Sequence, residues 1–282
     1  MERLHRISGG GGVELSVAEA GDAGAPAILL IHGVAQSRLS WHRQMTGSLA
    51  SGFRVVAFDL RGHGASARPV EDAAYDDGRP WAEDVAAVIA ALELQRPVLA
   101  GWSYGGIVVG DYLARFGNHG IGGLCLVGAA VKAGTQDSGD LFGPALPAHA
   151  PGMLSGDIAK SIRATRAFIR ACTAQPLDAE DYETILAAAM MTPPTVRRAV
   201  LKRRVDHDAA LRAASVPTLV VQGMADQVVL PAMAEHVRTL VPSARLATYE
   251  GVGHMPFIEA QARFEADLGA FTREVAERPA GG

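Results

Sequence analysis

The chain has 282 residues, 49% of them hydrophobic, enough to bury one large core or a core with a small insertion. Its 26 Lys and Arg stand against 30 Asp and Glu, a net charge of -4 spread along the chain, which excludes the clustered basic excess of a nucleic-acid-binding protein. No run reaches the ~18 apolar residues of a spanning helix, and Met1 to Gly12 lack the apolar core of a signal peptide, so a cytoplasmic protein without membrane partners is expected.

Leu4 to Ser8 and Val13 to Ala20 alternate apolar and polar residues around glycines 9 to 12, which predicts a hairpin with a loose turn. Short apolar runs then recur: Ala27 to His32, Val55 to Asp59, Val98 to Trp102, Leu124 to Val127 and Thr218 to Gln222. Each fits a fully buried strand, and Leu246 to Tyr249 is a weaker candidate. Helical spacing lies between them, in Trp81 to Leu94 (Val85, Val88, Ile89, Leu92), Ile107 to Phe116, Pro231 to Leu240 and Glu259 to Val275. This alternation predicts an α/β fold, a mostly parallel sheet with helices on both faces.

One segment breaks the rhythm. Between Lys132 and about Ala214 no strand is expected; a Gly/Pro-rich loop, Gly134 to Pro151, leads into three helices near 157–172, 178–191 and 195–205. Residues 1–131 and 215–282 are therefore read as one core domain and residues 132–214 as a helical cap, or lid. Residues 278–282 are expected to fray. Cys125, in an apolar run, and Cys172 are too few for a disulfide framework and are read as free thiols.

The strongest chemical signal is Gly101-Trp102-Ser103-Tyr104-Gly105-Gly106, placed between a strand and a helix. Ser103 there must occupy a strained turn that lifts its hydroxyl above the sheet edge. Side chains at 101 and 105 would collide in that turn, so both positions need glycine. A serine hydroxyl is a weak nucleophile until a base takes its proton. In this chain order the acid and base follow the serine, which leaves His119, His149, His207, His236 and His254. His254 follows the last strand, in a loop shaped by Gly251, Gly253 and Pro256, at the sheet edge where active sites lie. Asp226 is the sole carboxylate in the loop after Thr218 to Gln222 and is expected to hold one ring nitrogen of His254. The loop after the preceding strand, Val127 to Lys132, carries no carboxylate. An oxyanion hole would draw one backbone N–H from Tyr104 and one from Val34, with His32 holding the latter's loop.

Together these features resemble the α/β-hydrolase superfamily across essentially the whole chain. The resemblance rests on His32-Gly33, the stretch Asp59-Leu60-Arg61-Gly62-His63-Gly64-Ala65-Ser66, the elbow at Ser103, Asp226, and Gly253-His254 with Pro256 to Glu259. Within it, the chain is most similar to small serine esterases and cofactor-free haloperoxidase-like (perhydrolase) enzymes. The resemblance implies a helical cap between the sixth and seventh strands and a structural, non-chemical role for residues 59–66. Serine at the elbow argues against the dehalogenase and epoxide hydrolase branches, which use aspartate, and the dienelactone hydrolases, which use cysteine.

The expected reaction is hydrolysis of a small carboxylic ester or lactone through an acyl-enzyme, with no cofactor and no metal ligand set. Trp102, Phe142, Phe168, Met190 and Met191 are expected to line an apolar substrate pocket. The same triad also supports carbon–carbon bond hydrolysis of a β-diketone or ring-cleavage product, and perhydrolysis. A ligand-binding protein on the same fold is the reading from outside catalysis, although no triad member is missing.

Overall fold

The computed structural model describes residues 2–279. The end of the chain expected to fray lies, beyond Pro279, outside the described residues. Arg3–Ser8 (β1) and Glu14–Ala20 (β2) form the hairpin, with Ser8 opposite Glu14 and a single tight turn at Gly10–Gly12 between them. Ala27–Ile31 (β3), Arg54–Phe58 (β4), Val98–Trp102 (β5), Gly123–Val127 (β6), Thr218–Gly223 (β7) and Arg245–Tyr249 (β8) complete an eight-stranded sheet in the order β1-β2-β4-β3-β5-β6-β7-β8. From β4 to β8 every pairing is parallel; only the hairpin and the β2–β4 pairing are antiparallel. Every residue of β3, β5 and β6 is buried, as uninterrupted apolar runs require in a sheet covered on both faces. β8, the weaker candidate, is the half-exposed edge strand.

Arg79–Ala91 (α1) packs against Tyr104–Phe116 (α2), the helix that begins at the elbow. Between β6 and β7 the chain leaves the sheet. Lys132–Ala133 pairs antiparallel with Val205–Asp206 at the root of this insertion. Four helices follow the first of these pieces: Ala145–Met153 (α3), Ile158–Ala171 (α4), Ala179–Met191 (α5) and Pro194–Leu201 (α6). Asp157 caps α4 by accepting from the Ala159 and Lys160 N–H groups, and Asp178 caps α5 through Asp181 N–H. Pro231–Leu240 (α7) and Gln261–Glu277 (α8) follow the last two strands.

Three details differ from the sequence reading. The Gly/Pro-rich stretch holds a helix, α3. Pro147 falls in its first turn, where no donor is needed, so only Pro151 removes an internal hydrogen bond. The insertion is not free of strands, because its two ends pair as the short ribbon. The last expected helix stops at Leu201, and Val205 enters that ribbon.

Residues 59–66 form a hydrogen-bonded turn. Asp59 accepts from Arg38 N–H (2.7 Å) and Ala65 N–H (2.9 Å), and Gly64 sits at φ +49° with the Asp59 carboxylate where its Cβ would be. Arg61 grips Asp84 on α1 through Nε (2.8 Å) and Nη2 (2.7 Å), and Asp84 also accepts from Gly10 N–H (2.8 Å). This pair joins the hairpin turn to α1 with both side chains buried. Removing one member of a buried pair strands the other charge. Asp84→Ala is therefore expected to lower unfolding free energy by about 3–5 kcal/mol in urea titrations. A loss below about 1 kcal/mol would show that Arg61 finds other acceptors.

Candidate active site

β5 ends at Trp102 and α2 starts at Tyr104, leaving Ser103 alone at the corner with φ +54° and ψ -119°. For a residue with a Cβ this is a strained conformation, costing of order 1–3 kcal/mol. Three backbone hydrogen bonds hold it. Ser103 N–H donates to Val127 O (3.1 Å), and its carbonyl accepts from Gly106 N–H (2.9 Å) and Ala130 N–H (3.0 Å). The glycines are needed where expected. A Cβ on Gly101 would lie 2.6 Å from Gly105 O, and one on Gly105 would run into Ile31 O.

His254 and Asp226 meet from separate loops. His254 Nδ1 lies 2.7 Å from Asp226 Oδ2, with both side chains almost fully buried. The other Asp226 oxygen accepts from Val228 N–H (2.7 Å) and Val229 N–H (3.0 Å), so the carboxylate cannot swing away. Indole Nε1 of Trp102 donates to His254 O (2.8 Å). Gly128, at φ +45°, places its Cα hydrogen where a Cβ would be 3.2 Å from both His254 Nδ1 and Asp226 Oδ2. The loop after β6 thus reaches the same ring nitrogen but brings no acid to it.

The first buried loop lies beside the serine: a Cβ built on Gly33 falls 3.5 Å from Ser103 Oγ. Neither Val34 N–H nor Tyr104 N–H donates to another group among the described residues, which leaves both available to a bound oxyanion. His32 supports this loop. Its Nδ1–H donates to Gly33 O (2.7 Å) and its Nε2 accepts from Leu60 N–H (3.0 Å), a pattern only the neutral ring can make.

Ser103, Val34, Tyr104 and His254 all face one mainly apolar cavity of about 430 Å³. No hydrogen bond joins the Ser103 hydroxyl to His254 Nε2 here, although both border this space. Trp102, Phe142 and Phe168 line it as expected. Met190 and Met191 do not. α5 turns Ile185, Ala188 and Ala189 inward, leaving Met191 exposed and the Met190 sulfur against Arg197.

Residues 26–261 match the model of the alpha/beta hydrolase fold family. The chain belongs to this family. It is 30% identical to the bifunctional esterase/perhydrolase of Acinetobacter calcoaceticus, over 93% of this chain and 97% of that one. It is also 30% identical to a non-heme haloperoxidase of Rhodococcus erythropolis, over 80% and 85% respectively. Among solved structures, an esterase from Rhodococcus sp. ECU1013 superposes with TM-score 0.92 at 35% identity, covering 96% of this chain and 99% of that one. An α/β hydrolase with esterase-like relatives is thereby established.

The sequence reading missed two groups at the cavity. Leu146, Pro147 and Ala150 line it from α3, a helix hidden by its prolines. Arg203 lines it from the end of the insertion, within the basic run Lys202-Arg203-Arg204. Its guanidinium is buried against Asp111 of α2 (2.8 and 3.0 Å) and donates to the Tyr104 hydroxyl (2.6 Å). A signal existed: Asp111 lies in the apolar run Ile107 to Leu113, where a buried carboxylate requires a cation.

Burial pushes the pKa of His32 down to about 4 and that of His63, whose ring centroid lies 5.2 Å away, down to about 3. In the unfolded chain both protonate near pH 6.5, so the unfolded state binds more protons below that pH. Their stabilising contribution is complete above pH 6.5 and is lost as pH falls toward 4. Between pH 7 and pH 5 each should cost roughly 2 kcal/mol of stability. His63→Leu should make the drop between these two pH values smaller by about that amount in urea titrations; equal drops would refute the assignment.

Proposed function

We propose that the protein is a carboxylic ester hydrolase that works through an acyl-enzyme, with Ser103 as nucleophile, His254 as base and Asp226 as the acid that orients it. One observation carries this reading: the elbow serine and His254, whose ring is held by the buried Asp226, line the same apolar cavity. Asp226 accepts a hydrogen bond from Nδ1–H, which leaves the lone pair of His254 on Nε2, toward the cavity. Attack by Ser103 Oγ on the ester carbonyl passes the hydroxyl proton to Nε2. The carbonyl oxygen becomes negative and takes hydrogen bonds from Val34 N–H and Tyr104 N–H, at the positive end of α2. The alcohol leaves with the proton from Nε2. Water, deprotonated by the same nitrogen, then releases the acid and restores Ser103.

The segment 132–214 acts in this reading as a cap over the core formed by residues 1–131 and 215–282. It supplies Phe142, Leu146 and Phe168 to the cavity wall. A cavity of about 430 Å³ suits small ester or lactone substrates. The perhydrolase and haloperoxidase relatives support a second outcome on the same acyl-enzyme, in which hydrogen peroxide replaces water and a peracid is released.

The test is a p-nitrophenyl ester series from acetate to decanoate. Wild type should prefer short to medium chains, with kcat/KM for decanoate at least about tenfold below the optimum. Ser103→Ala should lower kcat by about 10⁴-fold or more with an unchanged circular dichroism spectrum. Retained turnover would remove Ser103 from the mechanism, and a folded wild type without esterase activity would favour carbon–carbon bond hydrolysis.

A further inference from the structure

The backbone around His254 is held by a group that the proposed mechanism does not use. Gly253 N–H donates to both oxygens of Glu259 (3.0 and 3.1 Å), and Met255 N–H donates to Oε1 (3.2 Å). Between them, His254 N–H donates to Cys172 O (2.6 Å). Three successive amides are thus fixed, two by one carboxylate and one by a carbonyl of the insertion. Glu259 also accepts from Ala174 N–H (2.7 Å), two residues past Cys172. Among the described residues no Lys, Arg or His pairs with Glu259. Its acceptor capacity is directed at main-chain N–H groups, which a carboxylate binds about twice as strongly as a neutral oxygen does.

The approach is close enough to dictate sequence. A Cβ on Gly253 would lie 2.8 Å from both Ala174 N and Cys172 O. The segment 172–174 therefore runs directly against the histidine loop, and Glu259 locks the two together. Glu259 is the last residue of the short helix Pro256–Glu259, so its own position follows from the turn just after His254.

We infer that Glu259 is a positioning residue for His254, tying the histidine loop and residues 172–174 of the insertion into one unit. This rests on His254 being the base. The imidazole must meet both Asp226 and the Ser103 hydroxyl, and displacements near 1 Å at such a site are costly. With Glu259 in place, the ring keeps its alignment and the insertion cannot separate from the core along this edge. The prediction is a loss in kcat rather than in substrate binding, because Glu259 is not among the residues that line the cavity.

Glu259→Gln preserves size but turns an NH₂ group toward donors that need an acceptor. On the best p-nitrophenyl ester, kcat should fall by roughly tenfold or more while KM stays within about twofold. Amide hydrogen exchange at Gly253, His254, Met255 and Ala174 should accelerate by at least about tenfold, with β3 and β5 unchanged. A lowered melting temperature with wild-type kcat would overturn the inference, as would unchanged exchange at these four amides. Should the glutamine variant fail to fold, Glu259→Asp keeps the charge but falls short of the amides, and the same two readouts decide. Ser103→Ala is run alongside: if it retains turnover, the reading of the site has failed; if it is inactive while Glu259→Gln keeps its kcat, only the role of Glu259 has.

Discussion

A residue with a side chain, held at positive φ between a buried strand and a helix, is the constraint on which the site rests. Ser103 stays in that conformation because its N–H is bonded to Val127 at the end of β6 and its carbonyl to the loop after β6 and the first turn of α2. Neither neighbour can relax, since β5 and α2 are buried along most of their length. The strain is thus supported by the core, and the serine is presented without a flexible loop beneath it. The same corner begins α2 with an unpaired Tyr104 N–H, so the proposed nucleophile and the proposed oxyanion donor are consequences of one turn. Glycines at 101, 105 and 106 follow as steric requirements, because a Cβ at each would meet backbone or a buried methyl group.

The insertion touches the core beside each member of the proposed triad. Next to Asp226, Gly143 and Ala145 N–H groups donate to Val228 O (3.0 Å) and Gln227 O (3.1 Å), and Leu230 N–H returns to Leu141 O (3.0 Å). Next to His254 lies the Glu259 linkage. On the cavity shared with Ser103, Arg203 is clamped between Asp111 and Tyr104. The root is closed by Lys132, whose ammonium reaches Asp137, Asp206 and Asp208 at 2.7–3.1 Å. A buried charge pair such as Arg203–Asp111 is a weak source of net stability because desolvation offsets most of the attraction. The directional donors of these contacts do select one seating of the insertion over slipped alternatives. An apolar interface between the same helices would allow sliding, and sliding would move the three loops of the proposed triad at once.

How far the sequence discloses this depends on the range of the interaction. All eight strands of the main sheet and the elbow were legible because period, turn residues and G-x-S-x-G spacing are local. Asp226 and His254 were legible as candidates through their places after β7 and β8, and the structure brings them to hydrogen-bond distance. α3 was not, because Pro147 and Pro151 read as breakers while their cost depends on helix position. Met190 and Met191 read as pocket residues from composition alone. Which face of α5 turns inward depends on helix packing, and nearby Ile185 and Ala189 fill that face instead. Arg203 lies 92 residues from Asp111, and Glu259 reaches back 85 residues to Ala174. Such pairings follow from the folded topology and leave only indirect traces, such as a carboxylate inside an apolar helix.

The charge arrangement around the cavity bears on what can bind there. Arg203 is a cation in its wall, yet Asp111 takes two of its hydrogen bonds and matches its charge. A substrate carboxylate would have to leave water for a site whose positive charge is already shared, and the surrounding Trp102, Phe142 and Phe168 offer it nothing in return. A neutral ester loses little hydration on entering and gains contact with those rings. In the proposed reaction, charge would develop on the carbonyl oxygen as the carbonyl carbon becomes tetrahedral, next to the unpaired Val34 and Tyr104 N–H groups. An apolar chamber with its donors concentrated at the reacting atom discriminates little between neutral substrates of similar size, because a methylene changes affinity by only about 1–3 kcal/mol. In the proposed reaction it would discriminate sharply between the ground state and the transition state of a neutral ester, which is the difference catalysis requires.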